Sequence, residues 1–182
     1  MNPKRHHWPC NVLALFFVGL LLINLTGCNG GDGDSAGKVL HSCELFSIDE
    51  IETIIGAPVD TPPRETHKVD EEGNFWMSMC NYYAPGPGVS VGFMIQPLTA
   101  KASPEEALNS YISSLQSSVP DYQMTPVPDI GQKAIWSADS GQLTIFTDSH
   151  MVLVSTMEKG AAEEKTLALA REIGLLTLEK LR

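Results

Sequence analysis

Hydrophobic and polar positions recur along this chain with two periods, and the switches between them mark its elements. Leu45, Ile48, Ile51, Ile54 and Ile55 follow helical spacing. Ser47 with Glu50 three residues on makes a capping box, and Gly56 supplies a stop, so a helix is predicted over 48–55. From Val89 to Leu98 the period falls to two. Val89, Val91, Phe93 and Ile95 alternate with Ser90, Gly92, Met94 and Gln96, as in a strand with one buried face. Val59–Val69 reads as an edge strand because Pro62 and Pro63 interrupt it. Phe75–Ala84 reads as a strand between turns at 70–74 and 85–88.

A second helix starts at Ser103-Pro104-Glu105-Glu106 and runs to about Ser118. Ser caps it, Pro fits its first position, and Ala107, Leu108, Tyr111, Ile112 and Leu115 form its packing stripe. A short strand is predicted within 122–127, then three strands near 132–137, 141–147 and 151–157. Asp139-Ser140-Gly141 and Asp148-Ser149-His150 are their hairpin turns. A last helix over 161–181 carries Leu167, Ala170, Ile173, Gly174, Leu178 and Leu181 on one stripe. The expected fold class is therefore α+β, a single domain over 39–182 with an antiparallel β-sheet packed by about three helices.

The beginning of the chain follows different rules. Residues 1–27 hold Lys4 and Arg5 and no acid, with an uncharged apolar run from Val12 to Leu25. A basic start, an apolar run and small residues after it read as a secretory signal. Fourteen residues span about 21 Å as a helix, short of the roughly 20 residues that cross a bilayer, so a transmembrane anchor is the weaker reading. Leu25-Thr26-Gly27-Cys28 resembles the lipobox of bacterial lipoproteins. That resemblance implies cleavage after residue 27, a diacylglycerol on Cys28 and attachment to the membrane through it; an ordinary cleaved signal is the alternative. With Asn29 after the Cys, the resemblance further implies the outer membrane, facing the periplasm, in a cell with two membranes. In a cell with one, the outer face of the cytoplasmic membrane is expected. Residues 28–38, rich in Gly, read as a flexible tether.

Charge narrows the partners. The full chain carries 12 basic and 22 acidic side chains for a net of −10, and losing Lys4 and Arg5 makes the remainder more acidic still. Such a surface argues against nucleic acid and against electrostatic adhesion to anionic lipid. Of four cysteines, Cys10 leaves with the signal and Cys28 takes the lipid. Cys43 and Cys80 remain, and in an oxidising compartment they read as one structural disulfide. Their separation, with no Cys-x-x-Cys, speaks against a redox pair.

Cys43 through Pro58, then Cys80-Asn81-Tyr82, then Pro128-Asp129-Ile130-Gly131 with Ala134, resembles an uncharacterised family of small envelope lipoproteins best known from actinobacteria. The resemblance implies a PsbP-like α/β sandwich and no activity.

Candidate chemistry is thin. Gly88-Val89-Ser90-Val91-Gly92 matches the Gly-x-Ser-x-Gly of hydrolases, but that mechanism needs a strand turning sharply into a helix, and Ser90 sits inside an alternating strand. A small serine hydrolase is the remote alternative. His41, His67 and His150 show no metal-ligand spacing, Asp32 and Asp34 lack the further oxygen ligands calcium needs, and no metal or other cofactor is expected. No phosphate loop or dinucleotide fingerprint occurs. The unusual stretch is Phe75–Tyr83, bulky on both faces: either a strand covered on both sides or one whose Trp76, Met77, Met79, Tyr82 and Tyr83 bind an apolar ligand or peptide. The reading is of a lipid-anchored envelope module that binds, without catalysis, a possible protein partner. Its alternative is a carrier or sensor of a small apolar molecule.

Overall fold

The computed structural model describes residues 40–69, 75–98, 102–158 and 160–182. Cys28, the tether and the 70–74 turn lie outside them. Helix α1 (Ile48–Ile55) has both halves of its capping box, with Ser47 Oγ accepting from the Glu50 N–H and Glu50 accepting from the Ser47 N–H. Gly56 ends it at φ 76°. Strands β1 (Arg64–Val69), β2 (Phe75–Ala84) and β3 (Val89–Pro97) follow, then helix α2 (Pro104–Ser118). Strands β4 (Thr125–Pro126), β5 (Lys133–Ser137), β6 (Gln142–Phe146) and β7 (His150–Glu158) lead to helix α3 (Glu163–Lys180).

The strands form one seven-stranded sheet in the order β1-β2-β3-β7-β6-β5-β4. Every neighbouring pair is antiparallel. The fold is thus α+β, as the patterning predicts. Two boundaries move. The strand expected from Val59 starts at Arg64, because Pro62 and Pro63 offer no N–H to a ladder, although the Asp60 N–H still reaches the Tyr83 carbonyl at 2.8 Å. The strand within 122–127 shrinks to two residues.

Register assigns each side chain a face. One row across the sheet is Glu65, Cys80, Phe93, Val154, Leu143 and Trp136. All but Glu65 are buried, joining Phe46 and Ile51 from the α1 region and Ala170 and Ile173 of α3 in a single core. Lys180 of α3 pairs with Glu50 of α1 at 2.8 Å, tying the two helices on this face. The neighbouring row, on the opposite face, is Thr66, Met79, Met94, Leu153, Thr144 and Ile135. Among the described residues α2 covers its β5–β6 end, where Tyr111 packs edge-on to Phe146. The predicted α2 stripe does face the sheet, yet none of its residues is buried.

Candidate functional site

Beyond β6, toward the β1 edge, the α2-side face of the sheet has no helix packed on it among the described residues. Met79 of β2, Met94 of β3 and Leu153 of β7 stand side by side there, each half-buried. Met77 and Met151 form a buried floor beside them. In the next row but one Tyr83 and Met157 flank Ser90, with Tyr83 46% and Met157 64% exposed. Between the rows Gly92 lies so close to Asn81 Oδ1 that a Cβ would meet it at 2.5 Å, which keeps that part of the surface flat. Arg64 and Lys68 of β1, opposite Asn81 and Met77, bound the patch with positive charge. Thioether side chains are unbranched and polarisable, so such a surface can conform to an apolar partner.

The five residues singled out in β2 therefore divide. Met77, Met79 and Tyr83 share this face, Met77 buried, Met79 half-buried and Tyr83 exposed. Tyr82 does not: its ring is 1% exposed, packed beside Phe93 in the helix-side core, and burial pushes its hydroxyl pKa up to about 12. Trp76 is 45% exposed near the sheet edge, with Lys68 Nζ 5.6 Å from its ring centroid. Of the two readings of β2, neither describes its whole length: Met77 is buried on this face, whereas Met79 is half-buried and Tyr83 exposed, and α2 packs on β5 and β6. Met94, Met151, Leu153 and Met157 were missed; each lies in another strand, and only the β2-β3-β7 order puts them beside Met79.

Cys43 and Cys80 form a disulfide, with 5.0 Å between their Cα atoms. It joins the segment before α1 to β2. His41, at the start of that segment, then lies against β1, where His67 and Glu65 point to the same side. Sequence spacing gave no hint of this cluster, since the residues come from segments 24 and 26 positions apart.

The hydrolase motif gains no partner among the described residues. Ser90 pairs with Tyr83 and Met157 in the middle of the ladder, and β3 continues as strand to Pro97. His150 stands opposite Pro97, seven strand positions from Ser90, or about 23 Å at 3.3 Å per residue. Its Nδ1 lies 2.8 Å from the Ser149 hydroxyl, the nitrogen that an orienting acid holds in a serine triad. Burial pushes the His150 pKa below its ordinary value. His150 lines an open cleft of about 700 Å³ with Asp129, Ile130, Asp148, Leu178 and Arg182, between α3 and two loops.

Compared with known proteins, the chain matches no family model, no curated protein and no solved structure.

Proposed function

We propose that this chain is an exported lipoprotein, anchored through a lipid on Cys28, whose domain binds an envelope protein through the methionine-lined half of its sheet. The observation that carries this reading is the asymmetry of the sheet. One face is sealed by α1 and α3, while the other leaves Met79, Met94, Leu153, Tyr83 and Met157 without a covering element among the described residues. Apolar surface of that kind costs solubility unless something occupies it.

The shape favours a protein over a small molecule. Small ligands sit in concave sites that enclose most of their surface, whereas this patch is a sheet face with glycine at its centre. The charge favours an apolar segment flanked by acids, because Arg64 and Lys68 stand at the rim. A membrane surface suits it less, since the molecule as a whole is strongly acidic.

The test is native mass spectrometry of the full-length protein, extracted in mild detergent from its own membranes, beside Met157→Glu, Tyr83→Ser and Cys28→Ser. A single protein adduct that both face variants abolish is the expected result. An adduct indifferent to both substitutions, or one that is a small molecule or lipid, overturns the docking face. Cys28→Ser is expected to yield unlipidated, uncleaved chain, and normal processing of that variant overturns the anchor.

A further inference from the structure

We propose that His41, Glu65 and His67 form a binding site for a divalent transition-metal ion of the zinc class. Two imidazoles and one carboxylate are a recurrent ligand set for such ions and leave a fourth position open. The ligand atoms of the three residues all lie within 4.8 Å of one another. His41 Nδ1 is 3.4 Å from Glu65 Oε2, and the two imidazole centroids are 5.3 Å apart. Ligands about 2.1 Å from a tetrahedral zinc stand about 3.4 Å from each other. The His41–Glu65 pair already has that separation, and rotation of exposed side chains supplies the remainder.

The site is held from behind. Cys43 is bonded to Cys80, and Cys80 is the register partner of Glu65. The Ser42 N–H donates to Ser78 Oγ at 3.0 Å, and Ser78 is the register partner of His67. The segment carrying His41 is therefore fastened to β2 at the two positions that face the other two ligands. Glu65 is oriented as well: its Oε1 accepts the Cys43 N–H at 3.3 Å, which leaves Oε2 for His41 or a metal. Outer contacts of this type fix the orientation of ligating groups and strengthen binding. A surface histidine pair with no role needs none of these supports.

Full-length protein in detergent, stripped with a chelator, is titrated with Co²⁺ and then with Zn²⁺, and visible absorption of bound Co²⁺ reports the ligand geometry. One equivalent is expected to bind, with displacement by Zn²⁺. His41→Ala, His67→Ala and Glu65→Gln should each weaken Co²⁺ binding at least tenfold, while His150→Ala leaves it unchanged. Melting of the metal-free variants checks that they fold. Absence of saturable uptake overturns the site. So does uptake that persists in all three variants.

Discussion

Gly141 closes the turn between β5 and β6 at φ 60°, in the left-handed region that side chains rarely adopt. A Cβ there would also stand 2.3 Å from the Thr156 carbonyl oxygen, and that carbonyl is backbone in the next strand. Its own carbonyl accepts the Thr156 N–H at 2.8 Å, so the turn cannot drift away without losing a ladder bond. Gly141→Ala is expected to destabilise the domain by about 2–3 kcal/mol, combining left-handed strain with overpacking. Urea unfolding measures this, and a midpoint equal to the parent's would refute it. Residues of this kind are legible in sequence, because Asp-Ser-Gly between two alternating runs names the turn. The His41–Glu65–His67 cluster is not legible, because local pattern carries no information about which distant segments a disulfide brings together.

At the level of elements, α2 and α3 look alike in sequence and differ in the structure. Both begin with acids in the first turn, and Ser103 and Glu106 give α2 the better N-terminal cap. Yet α3 buries Ala170, Ile173, Gly174 and Thr177, whereas α2 buries no residue. Capping selects where a helix starts, but most helix stability in a protein comes from the face it packs. The stripe Leu108, Tyr111, Ile112 and Leu115 shows that α2 has an apolar face; it could not show that the sheet behind it offers only the β5–β6 end. Hydrogen exchange should therefore find α2 amides opening at much lower free energy than those of α3 around Ile173. Equal protection in the two helices would contradict this. The edge strand, the β2 and β3 limits and the three helices all follow from periodicity and from proline and glycine positions. The order in which β7 inserts beside β3 does not, and it is this order that assembles the methionine face.

For the whole molecule, the decisive link is the Cys43–Cys80 bond, because it joins the entry of the domain to the sheet. Of the eight residues in α1 only Ile51 is fully buried; Phe46 packs on Phe93, Leu45, Ile48, Ile54 and Ile55 are only partly buried against the core, and Lys180 pairs with Glu50. The ion pair is exposed and contributes little. Closing 37 residues of chain restricts the unfolded state by about 4 kcal/mol in the chain-entropy model. That is a large part of the roughly 5–15 kcal/mol that holds an average domain folded. Reduction should therefore lower the urea midpoint clearly without dissolving the sheet, whose β3–β7 and α3 core is made by side chains remote from the disulfide. Alkylation should label neither cysteine before reductant and both after it, and the unfolding curve should shift only in the labelled sample. If fully alkylated protein kept the parent's midpoint, the link would be neutral to stability. The α1 layer would then have to be held by its own packing, and the case for Cys43–Cys80 as the structural tie of the domain would fall with it.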